Sequence, residues 1–95
     1  APIVSGLMEN SPALEAGLKV GDVIRKIDNE NISQYSDISR VIALNPNSPL
    51  EFEITRNNNN IKIIITPELV VTKDVFGNEV KIGRLGIYSS ELSYR

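Results

Sequence analysis

Two neighbouring stretches in the middle of the chain alternate between apolar and polar residues. In residues 50–55, the sequence Leu-Glu-Phe-Glu-Ile-Thr places an apolar side chain at every second position, and residues 61–66 repeat this period with isoleucines. A period of two is typical of a strand with one buried face. The polar, Asn-rich residues 56–60 between the two stretches predict the tip of a β-hairpin.

A short helix is predicted near the start of the chain, between two strands. Ser11 is a favourable N-cap, Pro12 suits the first helical position, and Gly17 can end the helix in a left-handed conformation. The apolar positions within residues 3–8 and 23–27 predict the strands on either side. The first third of the chain therefore has the order strand, helix, strand.

A second, longer helix is predicted before the hairpin. Residues 35–44 carry apolar side chains at spacings of three and four, which indicates one wide apolar face. Ser33 and Ser36 are both candidate N-caps. Pro46 ends the helix, because the residue before a proline is disfavoured in the α region.

The last third of the chain has a weaker pattern. Residues 69–72 and 80–82 predict two short strands around a turn at 76–78, and residues 83–87 follow them. The whole chain then has five to seven short strands and two helices. Grouped strands with few helices favour an α+β fold, built as a partly open barrel or sandwich.

Composition narrows the classes of function. The chain has 95 residues, enough for one small domain, and a net charge of −2. A weakly acidic domain without a basic stripe lacks the electrostatic footprint of a nucleic-acid binder. The sequence contains no Cys and no His, which excludes the usual zinc ligand sets and the Ser-His-Asp and Cys-His catalytic arrangements within this chain.

The chain shows no sign of a leader or a membrane span. It starts at Ala1, and its longest apolar runs, such as Ile63–Ile65, are far shorter than the roughly 20 residues that span a bilayer. From this start and the abrupt end at Arg95 we expect a fragment cut from a longer protein.

A set of spaced turn residues carries a resemblance to a known family. Residues 5–32 resemble PDZ domains through Ser-Pro-Ala at 11–13, Ala-Gly-Leu at 16–18 and Gly-Asp-Val-Ile at 21–24. The resemblance covers nearly all of the chain, since the long helix and the hairpin also match in order and length. The residue types suit this role physically, because Asp22 can accept hydrogen bonds from backbone amides in its turn.

The resemblance implies a domain boundary near the end of the chain. Residues 1–87 would form the PDZ domain, and residues 88–95 a tail leading toward a membrane segment that lies outside this sequence. No internal repeat or second domain is visible.

The resemblance also implies a peptide-binding groove. PDZ domains bind an extended peptide, often a carboxyl terminus, between a strand and the long helix, and the peptide adds a strand to an open sheet edge. Backbone amides of an x-Φ-G-Φ segment receive the carboxylate, and Arg84, Leu85, Gly86 and Ile87 fit that pattern. A last strand with a bulge glycine is the structural alternative. Arg84 either attracts the carboxylate or is a solvated strand residue.

The helix side of the groove is implied at three positions. The resemblance suggests that Ile38 and Ile42 line the pocket for the last peptide side chain, with Val41 sharing that wall or lying just beneath it. Plain core packing is the alternative for all three. The family's His at the start of this helix is absent, so the implied partner is a peptide or protein terminus with an apolar last residue.

The position of the x-Φ-G-Φ segment points to a subgroup. It stands at the end of the fold, whereas it comes first in eukaryotic signalling PDZ domains, so the chain looks circularly permuted relative to them. This order resembles the PDZ domains of RseP-like, site-2-type intramembrane zinc metalloproteases of bacteria. The long stretch 67–82 also suits that group.

This resemblance implies that the chain is a peptide-binding, substrate-screening module. It would have no catalytic residues, metal or other cofactor of its own. Its parent would be a multi-pass zinc metalloendopeptidase of regulated intramembrane proteolysis, with this domain on the periplasmic side of the inner membrane. The fragment itself would be a monomer. Two alternatives stay open: a steric filter without strong peptide binding, and a PDZ module of a trypsin-like periplasmic protease.

Overall fold

The computed structural model describes residues 1–89, in which eight strands and two helices follow one another. The α+β class predicted from the hydrophobic pattern is confirmed. In chain order the elements are β1 (Val4–Leu7), α1 (Pro12–Ala16), β2 (Val23–Ile27), β3 (Glu30–Asn31), α2 (Tyr35–Ala43), β4 (Leu50–Arg56), β5 (Asn59–Ile65), β6 (Glu68–Lys73), β7 (Glu79–Arg84) and β8 (Ile87–Ser89).

The strands form three open sheets, and within residues 1–89 these do not close into a barrel. The largest has four strands in the order β3-β2-β4-β5, while β1 pairs with β8 and β6 pairs with β7. The expected five to seven strands were too few. One reason is β3, which has two polar residues and therefore no apolar pattern that predicts a strand. Glu30 and Asn31 form a strand because they pair with Ile27 and Lys26.

The β4–β5 hairpin is longer and tighter than its sequence pattern suggests. Arg56 pairs directly with Asn59, so the tip consists of Asn57 and Asn58 rather than residues 56–60. Both tip residues have left-handed backbones, with φ of 52° and 65°. Two successive residues of this kind match the twist of the flanking strands, and Asn tolerates the conformation.

Helix α1 has the caps that its sequence predicts. The Ser11 hydroxyl accepts the Leu14 amide over 3.2 Å, and Gly17 ends the helix with φ 99°. These caps satisfy backbone groups that a helix of five residues leaves without partners.

Helix α2 starts at a different cap from either serine candidate. Its N-cap is Gln34. The Asp37 carboxylate in the first turn accepts the amides of Ser33 and Gln34 over 2.9 and 3.1 Å. A side chain that reaches back from inside the helix supplies the cap here, so the N-cap residue need not be a serine.

One apolar cluster fills the space between the sheets and the helices. Phe52, Ile24 and Ile54 on the four-stranded sheet are fully buried. Helix α2 contributes Ile38 and Ile42 to the same cluster. No helix within residues 1–89 is long and apolar enough to cross a membrane.

The described fold extends slightly past the expected domain boundary at residue 87. Tyr88 and Ser89 belong to β8 and pair with β1. The rest of the expected tail, residues 90–95, lies outside the described residues.

Candidate functional site

A cleft of about 360 Å³ lies between β8 and helix α2. One wall comes from α2, the other from β8 and the loop before it, and β7 closes one end. The side chains and backbone that line it belong to Met8, Tyr35, Ile38, Ser39, Ile42, Ala43, Ile82, Arg84, Leu85, Gly86 and Ile87. Six of the seven residues predicted for the site are thus brought together around one opening.

Hydrogen bonding on one side of β8 leaves its other side open. Within residues 1–89, β8 pairs with β1 and with no other strand. Met8 donates its amide to the Gly86 carbonyl over 2.9 Å, and Leu7 lies opposite Ile87. Antiparallel ladders alternate bonded and non-bonded pairs, so this register turns the N–H and C=O of Ile87 away from β1. Ile87 therefore presents main-chain groups at the open edge.

The loop before β8 directs two successive amides the same way. The Leu85 carbonyl accepts the Ala13 amide over 3.1 Å, and the Gly86 carbonyl is bonded as described above. Within a planar trans peptide, C=O and N–H point in opposite directions. The amides of Gly86 and Ile87 consequently point away from α1 and β1. Two such amides side by side form a concavity suited to an anion.

Gly86 is held in place by its backbone and by a close neighbour. Its φ is 87°, a left-handed value that glycine adopts without steric cost. A Cβ at this position would collide with the Cβ of Ser11, the N-cap of α1. The sequence therefore needs glycine here both for the turn and for the approach of α1.

Of the three residues predicted on α2, two line the cleft and one does not. Ile38 and Ile42 line the cleft and are also buried in the core, so packing in the core does not prevent them from facing the cleft. Val41 is half-buried, packs against the core and does not line the cleft. It therefore does not share the wall that Ile38 and Ile42 form.

Arg84 lies at the rim of the cleft in an ion pair. Its guanidinium contacts the Glu68 carboxylate of the adjacent strand β6 at 2.9 Å, and both side chains are partly exposed. An exposed pair of this kind is weak and can exchange partners. Arg84 is thus a cation beside the opening, with its charge partly neutralised by Glu68.

Five lining residues were not predicted from the sequence: Met8, Tyr35, Ser39, Ala43 and Ile82. The sequence contains a signal for three of them, namely their spacing along α2. Tyr35, Ser39 and Ala43 are spaced four apart and therefore form one ridge along α2. Met8 and Ile82 carry no comparable signal, because their positions depend on how distant strands pack.

The cleft offers apolar surface and one cation. Its lining is mostly apolar, with Arg84 as the one charged member. Within residues 1–89 no three His, Cys, Asp or Glu side chains are grouped so that they could hold a metal ion. Among these lining residues there is no carboxylate or imidazole to act as a general base.

The sequence is similar to a known domain family and to two bacterial proteases. The profile of the PDZ domain family matches residues 3–56. Metalloprotease MmpA of Caulobacter vibrioides is 37% identical over 87 residues, which are 92% of this chain and 22% of that protein. The regulator of sigma-W protease RasP of Bacillus subtilis is 38% identical over 88 residues, 93% of this chain and 20% of that protein. The chain spans about a fifth of these two relatives.

A solved structure agrees at the level of the fold. The crystal structure of the PDZ domain of the SdrC-like protein from Listeria monocytogenes superposes with a TM-score of 0.71 at 17% identity. The match covers 100% of this chain and 93% of that one. At this identity the likeness concerns the arrangement of strands and helices alone.

Proposed function

The chain belongs to the PDZ domain family, and from this premise we propose that it captures the carboxyl-terminal end of an extended peptide between β8 and α2. The open edge of β8 is the observation that carries this proposal. The peptide backbone would add a strand along Ile87, and its carboxylate would meet the amides of Gly86 and Ile87.

The same geometry favours an apolar last residue on the ligand. Its side chain would enter the space between Ile38, Ile42 and Leu85, which are apolar and largely buried. Removing one such side chain from water provides about 1.5–3 kcal/mol. Strand hydrogen bonds add to this contribution, and we expect a weak affinity, on the order of micromolar, or about −8 kcal/mol.

We further propose that the parent protein is a membrane-embedded zinc metalloprotease of the site-2 type. The names of the two relatives, a metalloprotease and a regulator of sigma-W protease, support a protease as the parent. Its zinc would be held outside this chain, whose 95 residues include no Cys or His. In such a parent the domain would screen substrates on the periplasmic side of the membrane for regulated intramembrane proteolysis. The catalytic step would belong to the rest of the protein.

The experiment that tests peptide capture is an NMR titration with a peptide ending in an apolar residue. The expected result is saturable shifts of the amides of residues 38–42 and 85–87. The same peptide with an amidated carboxyl terminus should bind at least tenfold more weakly, because losing a charge-assisted contact costs about 1.5–3 kcal/mol.

A matched pair of variants on α2 locates the site. Ser39 and Ser36 are both exposed on this helix, but Ser39 lines the cleft and Ser36 does not. Ser39→Phe should obstruct the cleft and weaken binding, whereas Ser36→Phe should leave it unchanged. Shifts that are absent up to millimolar peptide, or equal losses in both variants, would refute the proposal and favour a steric filter.

A further inference from the structure

The tip of the β6–β7 hairpin is a prominent apolar feature away from the cleft. Val75 is 93% exposed and Phe76 is 85% exposed, more than any other large apolar side chain within residues 1–89. Residues 71–79 around them are all exposed. Two adjacent apolar side chains without cover are costly in water, so their position calls for a partner.

The tip is a formed turn that presents these side chains in one arrangement. The Asp74 carboxylate accepts the amides of Phe76 and Asn78, each over 2.9 Å. Asp74 also donates its own amide to the Asn78 carbonyl over 2.9 Å. Gly77 closes the turn with φ 84°. The bonds that hold this turn are thus made by backbone groups and the Asp74 carboxylate, and the apolar side chains of Val75 and Phe76 contribute to none of them.

We propose that this tip, Val75 and Phe76, inserts into the interfacial layer of a lipid bilayer. A stable protein interface buries about 1,200–2,000 Å² in total. An aromatic side chain buries about 150–250 Å², so two side chains fall far short of that size. Membrane insertion has no such threshold, because its strength scales with the apolar area that enters the lipid.

Charges near the tip favour neutral lipid. Lys73 and Asp74 precede the apolar pair, and Glu79 and Lys81 follow it. These opposite charges balance, and the whole chain carries −2. Insertion driven by apolar area therefore needs no anionic lipid. This inference is independent of the cleft, which lies at the other end of β7.

The chain offers a clean reporter for the test because it contains no Trp. Phe76→Trp places a single indole at the tip, and Val20→Trp places one at an exposed position outside the hairpin, where the native side chain is 65% exposed. A terminal histidine tag binds the 95-residue chain to phosphatidylcholine vesicles that contain nickel-chelating lipid. This tether offsets the weak affinity of so small a tip.

The expected result is a blue-shifted emission for the Phe76→Trp variant, with quenching by lipids brominated in their acyl chains. The Val20→Trp variant should keep the emission of an indole in water. Adding Val75→Ser to the Phe76→Trp variant should reduce the quenching without lowering the unfolding temperature, because residue 75 touches no core.

Three outcomes would overturn the inference. The Phe76 reporter could remain unquenched on tethered vesicles, both reporters could be quenched equally, or quenching could require anionic lipid. An unquenched Phe76 reporter would indicate that the tip binds a protein. Equal quenching of both reporters would indicate non-specific contact with the vesicle. A requirement for anionic lipid would mean that charge, and not apolar area, drives the contact. Peptide binding in the cleft should be the same in all variants, so neither proposal depends on the other.

Discussion

At the scale of single residues, Asp22 joins parts of the chain that are far apart in sequence. Its carboxylate is 1% exposed, accepts the Lys19 amide over 2.8 Å, and pairs with Arg56 at 2.7 Å. Burial acts to raise the pKa of Asp22, but the hydrogen bonds from Arg56 and the Lys19 amide and the charge of Arg56 outweigh it. The pKa is therefore held below its ordinary value.

This lowered pKa predicts how stability depends on pH. The carboxylate stabilises the fold fully above its unfolded pKa, near 3.8, and that contribution is lost as the pH falls through the lower folded value. Asp22→Asn should reduce the free energy of unfolding by about 2 kcal/mol at pH 7, and by less at pH 3. Denaturant unfolding at the two pH values measures this.

The exposed pair between Glu30 and Arg40 is the control for Asp22. Both side chains are about half exposed, so Glu30→Gln should cost less than about 0.5 kcal/mol. A cost for Asp22→Asn no larger than that, or one that does not change with pH, would show that the buried pair contributes little.

Gly86 gives a second prediction at this scale, with a control in the same chain. Gly77 has a similar φ of 84° but open space where a Cβ would stand, whereas a Cβ on Gly86 would meet Ser11. Gly77→Ala should cost about 1–2 kcal/mol for backbone conformation alone. Gly86→Ala should cost about 1–3 kcal/mol more and abolish peptide binding. Thermal unfolding compares the two, and equal costs would contradict the predicted collision.

At the scale of elements, β7 approaches α2 so closely at Gly83 that there is no room for a side chain at this position. A Cβ on Gly83 would collide with the Ile42 carbonyl and come within 3.2 Å of the Pro46 nitrogen. Ile82 and Arg84, on either side of Gly83, both line the cleft. The width of the cleft at this end is therefore set by how closely β7 approaches the helix.

Gly83→Ala should push β7 away from α2. We expect a loss of about 2 kcal/mol in unfolding free energy and a change in peptide affinity measured by the same NMR titration. Lys81→Ala, on the exposed part of the same strand, should change neither. If Gly83→Ala binds peptide as the unchanged chain does, the approach of β7 does not set the cleft.

The sequence predicts elements well where one local signal decides them. Alternation identifies β4 and β5, and the Ser-Pro start with a Gly end identifies α1 to the residue. The sequence does not predict features that depend on contacts with other parts of the chain. The cap of α2 depends on Asp37 reaching back to Gln34, and β3 is a strand through pairing with β2.

At the scale of the whole molecule, β1 pairs with β8, the last strand within residues 1–89, and so joins the two ends of the described fold. Val4 and Ile87 are both core residues, one on each strand. The cleft depends on this pairing, since β8 forms one of its walls and β1 is the described strand that holds β8 in the fold. The resemblance predicts most of the cleft's residues, but Met8 and Ile82 follow from the packing of strands distant in sequence.

Shortening the chain tests this pairing. A chain ending at residue 89 keeps the whole of β8 and serves as the reference. A chain ending at residue 86 loses the buried Ile87 and the partner of β1, and should be less stable by about 3 kcal/mol. Chemical denaturation of the two measures the difference. Equal stabilities would mean that β8 contributes nothing to the fold.

The pairing of Val4 with Ser89 brings the start of β1 next to the end of β8. Residues opposite each other on antiparallel strands have Cα atoms about 4.5–5.5 Å apart, so the first residue of β1 and the last residue of β8 are neighbours. A unit whose entry and exit are neighbours can be inserted at a surface turn of a host without separating the host residues that it interrupts. The host can then gain or lose the whole unit and keep its own architecture.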